Sequence, residues 1–97
     1  MEEHLGYFEW DDAKAELNFE KHGVLFEDAA LTFFDRDFLR LFDQKHSGEE
    51  IRYAGLGKHP AGRILVTVYT ERGDKIRIIS ARKANKKEQA THEIHKT

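Results

Sequence analysis

Two runs of β-branched and aliphatic residues, RILVTVYT (63–70) and DKIRIISA (74–81), flank the short polar segment ERG (71–73). Such residues fit a pleated, half-buried surface better than a helix. Joined by a glycine-containing turn, they demand a β-hairpin. A lone hairpin is marginal in water, so the rest of the chain must add strands and cover one face.

The register of this hairpin decides which side chains meet. A two-residue loop at Arg72-Gly73 would mix polar and apolar residues on both faces. A three-residue loop, Glu71-Arg72-Gly73, pairs Val68 with Ile76 and Val66 with Ile78, and puts glycine where a left-handed bulge residue is needed. The second register is expected, because a one-residue slip turns the apolar set outward. It predicts a buried face of Ile64, Val66, Val68, Ile76 and Ile78. The opposite face then carries Thr67, Tyr69, Lys75 and Arg77 between Leu65 and Ile79, with Arg72 at the tip.

Upstream, FEWDDAKAELNFEKHGV reads as a helix: Asp11 as N-cap, a stripe of Ala13, Leu17 and Phe19, and Gly23 as the residue that ends it. Phe8 and Trp10 precede the cap as anchors. FEDAALTFF (26–34) reads as a second, short helix with an acidic first turn. DFLRLFD (37–43) alternates like a strand, QKHSGEE (44–50) is turn-like, and IRYAGLGK (51–58) is a strand whose Gly55 and Gly57 indicate a bulge or a close backbone approach. HPAG (59–62) is a turn. NKKEQATHEIHK (85–96) begins with Asn85 and has Glu88 three residues on, the pattern of a capping box. The order is helix, helix, four strands, helix. Short connections make the strands an antiparallel meander with helices against one face, an α+β domain over residues 1–97.

The polar face is rich in cations. Guanidinium and ammonium groups meet phosphates, and an aromatic ring stacks on a base, so this face suits a nucleic-acid strand. Arg82 and Lys83 lead on to Lys86 and Lys87 at the start of the last helix, where lysines oppose the helix dipole and an anion would relieve the conflict. A solvated sheet face with Arg–Glu pairs is the competing reading.

Charge is divided between the halves. Residues 1–50 hold 14 acidic against 5 basic residues, a balance of −9; residues 51–97 hold 4 against 11, a balance of +7. One surface is thereby suited to a polyanion, although two halves that simply attract each other would look the same. The chain has no cysteine, which removes disulfides, thiolate metal sites and cysteine nucleophiles and fits a cytoplasmic setting. No apolar N-terminal run or membrane-length segment occurs. His92 and His95 have an i, i+3 spacing, but their only nearby carboxylate is Glu93 at a fraying helix end, so no metal or cofactor is expected. The aromatics Phe8, Trp10, Phe26, Phe33, Phe34 and Phe38 read as core or as surface for a protein partner.

Two long blocks, FEWDDAKAELNFEKHGVLFEDAA and GRILVTVYTERGDKIRIISARKANKKE, resemble the BrnT toxins, a branch of the RelE-like superfamily from type II toxin–antitoxin modules. The resemblance implies a sheet with helices on one face and an RNA-cleaving site on the other, working without a metal, either on the ribosome or on free RNA. It further implies inhibited growth and a BrnA-type antitoxin, with monomer and heterotetramer both open. Carried over onto YTERGDKIRIISARKA, it offers Tyr69, Glu71, Arg77 and Arg82 as catalytic candidates. Arg77 and Arg82 would hold the scissile phosphate, Glu71 would act as general base or orient an arginine, and Tyr69 would stack on a base or donate a hydrogen bond. Arg52, Arg72, Lys75, Lys83 and Lys86 would bind RNA. His22, in KHGV, is open to acid–base work but also to capping the helix.

The chain departs from the relatives' GVSFEE pattern at Leu25, where a small polar cap is common, and it is slightly acidic overall. A catalytically silent module that binds RNA or antitoxin on the same fold is the alternative.

Overall fold

A computed structural model of the chain describes residues 2–4, 6–42 and 50–96. The elements run β1 (Glu2–His4), β2 (Phe8–Trp10), α1 (Asp12–His22), α2 (Phe26–Leu31), a 3₁₀ turn (Thr32–Phe34), β3 (Leu39–Phe42), β4 (Arg52–Lys58), β5 (Ile64–Arg72), β6 (Lys75–Lys83) and α3 (Lys86–Ile94). The expected α+β class holds, and each expected helix and strand is present. The turn expected at 44–50 lies, apart from Glu50, outside the described residues.

The sheet departs from a four-stranded antiparallel meander. Its order is β1-β2-β6-β5-β4-β3, a five-strand run flanked by the short edge strand β1. Phe8 and Trp10 are strand residues: β2 pairs parallel to β6, with Phe8 opposite Ile76 and Glu9 opposite Arg77. Both rings are buried. The sheet is therefore mixed. A three-residue strand is too short to declare itself by alternation; its neighbours β1 and β6 define it.

The hairpin register also differs from the expected one. Arg72 pairs with Lys75, leaving a two-residue loop, Gly73-Asp74, with Gly73 at φ 60°. Tyr69 pairs with Ile78 and Val68 with Ser80, so Ile79 is an extra residue on β6, a β-bulge. Leu65, Thr67 and Tyr69, expected on the open face, lie instead beneath the helices with Ile78 and Ala81. Val66 and Val68 point the other way. The buried Tyr69 ring accounts for the choice. It packs edge-on against Phe33 at 4.8 Å and near Phe38, a burial worth more than that of either valine.

The main core is Phe8, Trp10, Val24, Phe26, Ala29, Ala30, Leu65, Ile78 and Ala81, between α1, α2 and the sheet. Gly57 makes room for the 3₁₀ turn, since a Cβ there would stand 2.6 Å from the Thr32 carbonyl oxygen, and at Gly55 it would overlap the Phe38 ring. Close approach, of the Thr32 backbone at Gly57 and of the Phe38 ring at Gly55, explains both glycines; neither is a bulge.

Helix α1 docks by a different face than its apolar residues suggest. Ala13, Leu17 and Phe19 are exposed, and the buried residue is Asn18. Its amide nitrogen donates to the carbonyls of Ala81 (2.9 Å) and Val24 (3.2 Å), while its oxygen accepts from the Ala81 N–H (3.1 Å). β2 pairs with β6 only at Ile76 and Arg77, so Asn18 completes the outer edge of β6 where that strand has run out. This tie sets α1, and with it His22, against the second half of β6.

Candidate functional site

The bulge determines what the open face of the sheet presents. Beyond it, Ser80 and Arg82 point to the same side as Lys75 and Arg77, because Val66, Val68, Thr70 and Arg72 on β5 pair with Arg82, Ser80, Arg77 and Lys75 in turn. On β4, Arg52 lies opposite Thr70, Ala54 opposite Val68 and Leu56 opposite Val66. The face thus has an apolar half beside α3 and a cationic half near the hairpin loop.

The apolar half is a cleft of about 530 Å³. Leu56, Val66 and Val68 form its floor, and His22, Ser80, Arg82, Glu88 and Thr91 its polar wall. Arg82 forks onto Glu88, Nη1 to Oε1 at 2.8 Å and Nη2 to Oε2 at 2.7 Å. Glu88 also accepts from the Asn85 N–H, closing the expected capping box, so one carboxylate starts α3 and holds the arginine. The hydrogen bond from Arg82 holds the Glu88 carboxyl below the usual carboxylate range, and Glu88 in return raises the guanidinium.

In the cationic half, Arg72 forks onto Glu50 at 2.9 and 3.2 Å. That hydrogen bond, with Arg77 and Arg52 nearby, keeps Glu50 below its ordinary value. Arg52 and Arg77 flank Thr70 across three adjacent strands. The β5 partners of Arg77 and Arg82 are four residues apart, roughly 13 Å along the strand. The two arginines therefore share a face but sit at separate stations on it.

The remaining candidates disperse. Tyr69 is 2% exposed on the helix side, which corrects its expected place on the open face, and burial pushes its hydroxyl up to about 12. It is not available to stack on a base. Glu71 is exposed on that same helix side, 3.3 Å from Arg40. Lys75 donates to the Gly6 carbonyl, bracing the β1–β2 turn. Lys83 is exposed opposite Leu65, and Lys86 is exposed in the first turn of α3. His92 is buried against Asp35 at 2.7 Å and His95 bonds the Thr91 carbonyl, so neither faces the other as a ligand pair.

His22 is the residue whose place the sequence least betrayed. Gly23 ends α1 at φ 69° by bonding Phe19, so the imidazole is not needed as a cap and lines the cleft instead. An imidazole can both take and give a proton at neutral pH. The polar wall therefore combines a proton-transfer group, a rigidly held guanidinium and the hydroxyls of Ser80 and Thr91.

A family model described as "Ribonuclease toxin, BrnT, of type II toxin-antitoxin system" matches residues 10–88. The chain belongs to the BrnT family. Among solved structures, the chain is similar to the Brucella abortus ribonuclease toxin BrnT, seen in a 1.1 Å crystal structure, with a TM-score of 0.61 and 20% identity. The likeness covers 82% of this chain and 97% of that one, and it establishes the BrnT fold. No curated protein matches the chain. Membership in this family implies an antitoxin partner and RNA as substrate. Among the described residues, no helix is long and apolar enough to cross a membrane.

Proposed function

We propose that the chain is a cytoplasmic, metal-independent endoribonuclease toxin that arrests translation and is neutralised by a BrnA-type antitoxin. The observation that carries this reading is that His22 and Arg82 line one cleft on the open face. RNA enters that cleft while its flanking phosphates lie along Arg52, Arg72 and Arg77, and Lys86 receives the strand at the α3 end. His22 takes the proton of a 2′-hydroxyl, whose oxygen attacks the adjacent phosphorus. The bond to the 5′-oxygen breaks, leaving a 2′,3′-cyclic phosphate and a 5′-hydroxyl once the leaving oxygen gains a proton. Arg82 stabilises the charge that builds on the phosphoryl oxygens, held ready by Glu88. Glu71, on the other face, is left without a direct part.

One observation favours the silent binding module: Arg82 is already paired with Glu88 through both Nη atoms. Purified chain incubated with RNA in EDTA separates the two. Cleavage with cyclic phosphate ends, lost in Arg82→Ala and in His22→Ala, supports the nuclease. Intact RNA with undiminished RNA binding supports the module. Cleavage that persists in both variants sinks the proposed site.

A further inference from the structure

Away from the cleft, α1 and α2 enclose a second groove of about 480 Å³. Trp10 and Phe26 form its floor. Phe19 and Leu25 stand at its lips, 48% and 45% exposed. Glu16, Glu20 and Glu27 line the same opening.

Three of these residues, Leu25, Glu16 and Glu20, run against local stability. Leu25 is the N-cap of α2, with extended backbone and no side-chain cap bond, where Ser, Thr, Asp or Asn would hold the helix start. Glu16 and Glu20 are one turn apart on α1 and repel each other. Among the described residues, none forms an ion pair with Glu16, Glu20 or Glu27. A bound segment that is both basic and apolar offsets the carboxylate repulsion and the apolar exposure together: its cations meet the carboxylates and its side chains cover Phe19 and Leu25.

We propose that this groove docks a basic amphipathic helix of the antitoxin, which seats a bulky apolar residue between Phe19 and Leu25 and sets lysines or arginines against Glu16, Glu20 and Glu27. The inference rests on the reading of the chain as a toxin held by an antitoxin. It adds a contact surface on the helix layer, separate from the cleft on the opposite face of the sheet.

The test titrates the purified antitoxin of the same module by calorimetry into three forms of the full chain: wild type, Phe19→Ser and Glu16→Lys/Glu20→Lys/Glu27→Lys. All four side chains are exposed, so circular dichroism and melting verify that the fold is kept. Both variants should bind at least about tenfold more weakly, and the charge reversal should also slow association and alter its salt dependence. RNA cleavage by the free variants should equal wild type. Wild-type affinity in both variants overturns the groove and leaves the toxin reading standing. Failure of the wild type to bind antitoxin overturns that reading and the inference together. Self-association of the wild type that the variants abolish, with antitoxin affinity unchanged, assigns the groove to a second copy and also overturns the proposal.

Discussion

Arg77 and Arg82 project from the same face of the sheet although five steps along β6 separate them. In a regular strand, positions of opposite parity point to opposite faces. The extra residue at Ile79 changes the parity between them. Without this bulge Arg82 would turn toward the helices, Glu88 would lose its partner, and the cleft would have no guanidinium in its wall.

Their stations predict separable roles. Arg82→Ala should lower the RNA cleavage rate by about 10²-fold or more, in line with the loss of a donor to a charged transition state. Arg77→Ala should chiefly weaken RNA binding and flatten its salt dependence, leaving the rate at saturating RNA within a few-fold of wild type. Single-turnover kinetics at several salt concentrations measure both.

Acid should loosen α3 before it unfolds the sheet. Hydrogen bonding to Arg82 lowers the Glu88 carboxyl from its ordinary 4.5. Burial by itself raises Asp35, but the N–H groups of Asp37 and Lys58 and the His92 ring outweigh it, and the net shift is downward from 3.8. Both groups anchor α3. A carboxyl whose folded pKa lies below its unfolded one contributes fully above the unfolded value and loses that contribution as pH falls through the folded one. Stability should therefore be level above 4.5 on this account and decline below it, and Glu88→Gln should flatten part of the decline. Urea denaturation across pH 2.5–6, followed by helical circular dichroism, tests the sign.

Asn18→Ala should destabilise the fold by about 3 kcal/mol, because it strips the Ala81 N–H and the Ala81 and Val24 carbonyls of a buried partner. Leu17→Ala, a larger apolar loss on paper, should change stability by less than about 0.5 kcal/mol since that side chain is exposed. Chemical denaturation of the two variants gives the comparison.

Leu25→Ser should stabilise the chain by about 1 kcal/mol by capping α2. The same change should weaken the antitoxin complex, since it removes an apolar lip of the helix groove. Thermal melts and calorimetry on one preparation check both signs.

The three helices and strands β3 to β6 were legible in the sequence because each has a local cause; β1 and β2, three residues each, were not. Asp11 and Asn85 cap their helices, Gly23 ends α1, Gly73 turns the hairpin, and β-branched runs make β5 and β6. The cationic character of residues 72–87 was legible for the same reason, as was the likeness to the BrnT toxins. Which cations share a surface was decided only by the tertiary structure. Facing depends on a one-residue bulge, and the bulge depends on Tyr69 packing against Phe33 and Phe38, rings more than thirty residues earlier in the chain. His22 reaches the cleft through Asn18, whose partner Ala81 is 63 residues away. Local propensities set strand and helix; long-range packing set the register, and in a sheet a register shift of one residue exchanges the faces.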